Sequence, residues 1–130
     1  MTKPHFSFWI TATIGLIWNL MGCMNYVIQM NPDTVAQMPD VYQMIINGRP
    51  AWATAAFAIA VFGGAVGCIL MLLRRRVAVQ VLILSLAGIV LTVIHATMLV
   101  GAVPSSLLSL LVGAALYWYA TIALRKNWLG

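Results

Sequence analysis

Long uncharged runs dominate this chain and are broken at only a few places by charge. The nine charged residues are Lys3, Asp33, Asp40, Arg49, the run Arg74, Arg75 and Arg76, and the pair Arg125 and Lys126. Between them lie uncharged stretches of 29, 24 and 48 residues, whereas a helix crosses the hydrocarbon core in roughly 20 residues. The first stretch predicts a membrane helix over 6–30 and the second one over 52–73. The third is too long for one crossing and carries Gly101, Pro104, Ser105 and Ser106 in its middle. That is a turn signal, so the stretch divides into helices over 78–100 and 106–124. Spanning strands are not expected, because open sheet edges cannot be satisfied in lipid and no alternating ten-residue pattern occurs.

Composition agrees with this pattern. Apolar residues make up 63% of the chain and charged residues 7%, far from the roughly 25% charge of a soluble domain. The expected fold is therefore all-α: a single integral membrane domain over 1–130, built as a four-helix bundle. A cleaved signal peptide is the competing reading of the first span. Its apolar run exceeds the roughly 7–15 residues of a signal core, and no small-residue cleavage site precedes Asn31-Pro32-Asp33, so a retained span is expected.

Basic residues set the expected orientation, since Lys and Arg near helix ends stay on the cytoplasmic side. With four spans, Lys3 and the anchors Arg74, Arg75, Arg76, Arg125 and Lys126 share one side and only Arg49 lies opposite. Both termini are then cytoplasmic. The net charge of +5 reflects topology and anionic headgroups. A nucleic-acid partner would need a basic face outside the bilayer, which the pattern lacks.

The one sizeable loop, 31–51, falls on the outer side. Pro39 can open a short helix there and Gly48 can end it, with Val41, Tyr42, Met44, Ile45 and Ile46 giving an apolar side. An amphipathic helix lying on the membrane or capping the bundle is expected. Trp9, Trp52, Tyr117, Trp118, Tyr119 and Trp128 fall near span ends and read as interfacial anchors.

Small and polar residues at helical spacing indicate which faces pack. In the first helix Thr11, Gly15, Asn19, Gly22 and Tyr26 share a face, flanked by Asn25 and Gln29. Ala56, Ala60, Gly63 and Gly67 form the seam of the second, with a GxxxG spacing. Ser85, Gly88, Thr92 and His95 line the third, and Ser106, Ser109, Gly113 and Tyr117 the fourth. These seams can face inward, and the GxxxG edge can alternatively meet a second protomer.

Apart from tyrosines and cysteines, His95 is the sole titratable side chain within the predicted spans, which makes it a functional candidate. Counted from the helix midpoint, it sits roughly 9 Å to the outer side of the bilayer centre. Asn25 and Ser109 fall at similar heights, with Tyr26, Gln29 and Thr92 close by. Together they predict an outward polar vestibule able to hydrogen-bond a neutral solute, or a His95 that exchanges protons. The plainer reading is a neutral imidazole bonded across helices. Cys23 and Cys68 are placed about 16 Å apart along the membrane normal, too far for a disulfide. Pairing His5 with His95 in a metal site is geometrically unreasonable, and a haem site lacks a second histidine at matching depth. With no carboxylate in the spans and no glutamate at all, catalysis is not expected. No cofactor is implied.

The run Leu16-Ile17-Trp18-Asn19-Leu20-Met21-Gly22, then Asn25-Tyr26, then Pro50-Ala51-Trp52-Ala53, the Phe57–Leu73 segment and Arg74–Arg76 together resemble a group of small bacterial four-span proteins that carry the label "sugar transporter". The resemblance covers the first three helices and, in general character only, the fourth. It implies solute handling. Relatives often have an aspartate before the tyrosine where this chain has Asn25, so ion coupling through such an acid is not implied here.

Two function classes follow. The preferred one is a non-catalytic membrane component that packs through its small-residue seams against copies of itself or a larger complex. The alternative is a transporter or binder of a small neutral, sugar-like solute at the vestibule around Asn25 and His95. A single four-helix protomer is thin for alternating access, so transport would require an oligomer.

Overall fold

Backbone amides in hydrocarbon find no water, so each uncharged stretch must satisfy them internally, and the α-helix does so. The computed structural model describes residues 3–101 and 104–130. Its helices are α1 (Phe6–Ile28), α2 (Pro32–Val35), α3 (Asp40–Asn47), α4 (Ala51–Leu72), α5 (Val77–Val100) and α6 (Pro104–Arg125). No strand occurs among the described residues. Four of the helices, α1, α4, α5 and α6, are long and apolar enough to cross a membrane. At about 1.5 Å per residue each reaches roughly 33–36 Å, a little more than the hydrocarbon thickness.

Local chemistry sets the ends. The His5 side chain accepts the Ser7 amide at 3.2 Å and caps α1, and Pro50 stands at the N-cap of α4. Gly101 ends α5 at φ +81°, a conformation that favours glycine. Residues 102 and 103, the middle of the expected α5–α6 turn, lie outside the described residues. Pro39 and Gly48 flank α3. The one-turn α2 goes beyond the sequence reading. Its Asn31 cap accepts the Asp33 amide at 3.0 Å and Pro32 fills the first position, a start signal present in the sequence.

The spans pack in the order α1, α4, α5, α6, and the joint between α1 and α6 that closes the ring is the sparsest of the four. The tightest joint is α4 on α5. A Cβ on Gly88 would stand 2.7 Å from the Ala56 carbonyl oxygen and 2.9 Å from the Ala60 nitrogen. Beside it the Ser85 hydroxyl donates to the Ala60 carbonyl at 2.6 Å. Gly63 rests against Ser85 and Gly67 against Leu82, so the GxxxG edge is used inside the protomer. Between α1 and α4, Asn19 lies directly over Gly64 and Gly22 abuts Val61. Gly64 is absent from the sequence-derived seam, although it is the glycine that makes room for Asn19.

The start of α1, the C-terminal tail and the α4–α5 turn meet at one end of the bundle. There Phe8, Ala12, Met71, Ala78, Ala120, Ala123 and Leu129 form a closed cluster. Asn127, at φ +61°, turns the tail back so that the Gly130 amide donates to the Arg74 carbonyl at 2.8 Å and the Arg76 amide to the Gly130 carbonyl at 3.0 Å. Arg74 Nε donates to the Trp128 carbonyl at 2.9 Å. Trp128 is therefore only 8% exposed and sits edge-on to Phe8. It belongs to the core and is not an interfacial anchor, because the tail folds under the bundle. Trp9, Trp52 and Trp118 remain exposed.

The glycine geometry separates two substitutions on the α4–α5 joint. Gly88→Ala drives a methyl group into the α4 backbone and is expected to destabilise the protein by about 1–3 kcal/mol. Gly63→Ala makes ordinary contact with Ser85, at 3.4 Å, and should be near neutral. Equal midpoints for the two variants in detergent unfolding would contradict the close α4–α5 approach.

Candidate functional site

Away from the terminal end the bundle opens into a cavity of about 460 Å³, within the range of small-molecule sites. Its walls come from α1, α4, α5 and α6, and Met38, Tyr42 and Ile45 cover it from the α2–α3 segment. From Gln29 to Asn19 on α1 it runs roughly 15 Å toward the middle of the bundle. The exposed Met21 and Asn25 belong to its wall.

Polar groups are unevenly distributed along this length. In the deep half Asn19 Nδ2 donates to the Gly15 carbonyl at 2.8 Å, and Ser85 donates to Ala60. Thr92, higher up, donates to the Gly88 carbonyl at 2.8 Å. Each of these groups donates to helix backbone, and their surroundings are Leu82, Ile89, Leu116 and Val61. The outer half differs. The side chains of Asn25, Ser106 and Ser109 make no hydrogen bond to described residues.

Arg49 completes the outer half and was not singled out in the sequence, where it reads only as the lone basic residue opposite the others. It follows α3 by two positions and is carried inward by the turn into α4. Its Nη1 donates to Gln29 Oε1 at 3.1 Å, and the guanidinium lies 4.8 Å from the Phe57 ring centre. Phe57 in turn stacks on Tyr26 at 5.8 Å. The cation is thus oriented by an amide and an aromatic pair. Burial lowers its pKa from the ordinary arginine value, with the nearby Tyr26 acting in the opposite sense. A guanidinium remains charged at neutral pH. Among the described residues no carboxylate pairs with it.

Of the residues expected in a vestibule, Asn25, Gln29, Thr92 and Ser109 share this cavity. Tyr26 and His95 stand behind its walls. Tyr26 packs between Phe57 and Phe62. His95 is buried, edge-on to Trp52 at 5.7 Å, with Nε2 3.4 Å from the Gly48 carbonyl oxygen. A carbonyl only accepts, so this contact requires the proton on Nε2. The imidazole ties α5 to the turn that carries Arg49. Helical spacing gave it a height on α5 but could not give its azimuth once α3 folded over the bundle.

The packing candidates Gly15, Gly22, Gly63, Gly67, Gly88 and Gly113 all face neighbouring helices. The anchors Arg74, Arg75, Arg76, Arg125 and Lys126 lie at the terminal end, Lys126 over the Trp128 ring. Both cysteines are free, Cys68 beside Asn19. Among the described residues no group of His, Cys, Asp and Glu is arranged to hold a metal ion. Set against family models, curated proteins and solved structures, the chain matches none.

His95→Ala is expected to quicken amide hydrogen exchange across residues 45–52, since the α5 tie to Gly48 is lost, while exchange within the terminal cluster stays unchanged. Unaltered protection at 45–52 would show that the tie does not hold the turn.

Proposed function

We propose that the chain is a multi-pass membrane protein that binds a small solute in its interhelical cavity and serves in its transport, acting in more than one copy. The observation that supports this most is the cavity of about 460 Å³ in which unpartnered Asn25, Ser106 and Ser109 converge with Arg49 at one end. Cavities of this size with a few convergent polar groups bind ligands. An accessory role based on association through glycine seams has less support, because those glycines pack within the protomer. The need for several copies follows from size, since one four-helix bundle offers no second half to rock against.

In this reading both termini and the Arg74–Arg76 turn are cytoplasmic, supported by six basic residues at that end against Arg49 at the other. The amphipathic α3 then lies at the outer surface as a roof over the cavity. A bacterial inner membrane is the location that the family resemblance implies. A fluorescent-protein fusion at the C-terminus should fluoresce, and an alkaline phosphatase fusion at the same site should be inactive. The reverse pair of results would invert the topology.

Ser109→Phe tests occupancy, because an aromatic ring on the α6 wall fills the outer half of the cavity. Decanol and decanoate are suitable probes in nanodiscs of phosphatidylcholine. At least one should raise the unfolding temperature of the wild type, as a ligand selective for the native state must. That rise should disappear in Ser109→Phe, or in Ser106→Phe should the first variant fail to fold. If neither probe stabilises the wild type, the binding reading is wrong.

A further inference from the structure

Building on the binding reading above, we propose that the cavity accepts a single-chain amphiphile with an anionic head, carboxylate or phosphate, its head on Arg49 and its chain in the deep half between Leu82 and Leu116. Three observations carry this inference. The first is the unpaired guanidinium. Arg49 is half-buried, fixed by Gln29 at 3.1 Å and by the Phe57 face, and no carboxylate among the described residues neutralises it. A cation withdrawn from water without a counterion is costly, and an anionic ligand supplies that counterion through charge-assisted, planar hydrogen bonds. Burial lowers its pKa in keeping with that cost.

The second is the polarity gradient. Asn25, Ser106 and Ser109 keep free hydrogen-bonding capacity near Arg49, whereas the donors of Asn19 and Ser85 are taken by the carbonyls of Gly15 and Ala60. A neutral polyhydroxylated solute needs partners along its whole length, and the deep half supplies aliphatic surface in their place. Leaving ligand hydroxyls unpaired there costs binding free energy. An apolar chain has no such requirement. The third is access. The cavity wall includes the exposed Met21 and Asn25 of α1, and the α1–α6 joint is sparse, so a chain can enter sideways from hydrocarbon while its head stays at the Arg49 level.

Full-length protein in phosphatidylcholine nanodiscs, titrated with decanoate, decanol and methyl decanoate at mildly alkaline pH, provides the test. The shift in unfolding temperature gives the apparent affinity of each probe. Decanoate should bind the wild type at least about tenfold more tightly than the two neutral probes, as expected for one charge-assisted pair. Arg49→Gln should bring the decanoate affinity down to that of the two neutral probes in the same variant, and Arg49→Lys should keep part of the preference. Equal affinities of the three probes for the wild type would overturn the anionic assignment without recourse to any variant, and would leave the cavity reading standing. No stabilisation by any probe would remove the cavity reading itself. Lysophosphatidylglycerol, a single-chain lipid with a phosphate head, separates the two sources of the head when added to the nanodiscs: competition with decanoate assigns the site to a membrane lipid, and indifference to the lipid assigns it to a free carboxylate. Both results uphold the anionic head.

Discussion

Close contact between the backbones of α4 and α5 is the constraint on which the rest of this molecule depends. Lipid tails are as apolar as leucine, so burying leucine between helices gains little, and association must come from tight packing and interhelical hydrogen bonds. Gly88, Ala56, Ala60 and Gly63 bring the two helices within reach, and the Ser85 hydroxyl then bonds the Ala60 carbonyl across the gap. The pair forms a stiff central wall. α1 is added to it through Asn19 over Gly64, and α6 by contact with α5.

The wall explains why the bundle is closed at one end and hollow at the other. At the terminal end alanines on α1, α5 and α6 allow close approach, and Phe8, Met71 and the returning tail fill what remains. Toward α3 the facing residues of α1 and α6 are polar or of mixed size, and the two helices do not close on each other. What closes that end is a short helix. Ile45 of α3 packs on Ala96 and Val100 of α5, Leu99 comes near Gly48, and His95 contacts the Gly48 carbonyl. The roof therefore rests mainly on α5.

This arrangement also places a cost where a ligand can offset it. Arg49 is drawn partly out of water by the turn between α3 and α4 and receives an amide and an aromatic face, yet no counterion from the described residues. The tight terminal end provides the stability that lets the open end carry such a group. Sites with uncompensated polar groups are where function is expected to oppose stability.

The chain's hydropathy and charge spacing were sufficient to locate four membrane-length helices, because exclusion of charge from hydrocarbon is a one-dimensional constraint that every residue reports directly. Helical spacing also exposed most of the packing glycines, Gly15, Gly22, Gly67 and Gly88 among them, since a close approach needs a small residue wherever it occurs. Along the normal the heights of Asn25, Gln29, Thr92 and Ser109 could be counted, and these four do share a cavity. Tertiary structure alone decided the remainder. Whether a side chain at a known height faces the cavity, a neighbouring helix or a loop depends on the rotation of its helix and on what folds over it. Hence His95 turned out to hold the roof, Trp128 was drawn into the core by a tail reversal, and Arg49, an unremarkable loop residue in one dimension, became a cation in the cavity wall.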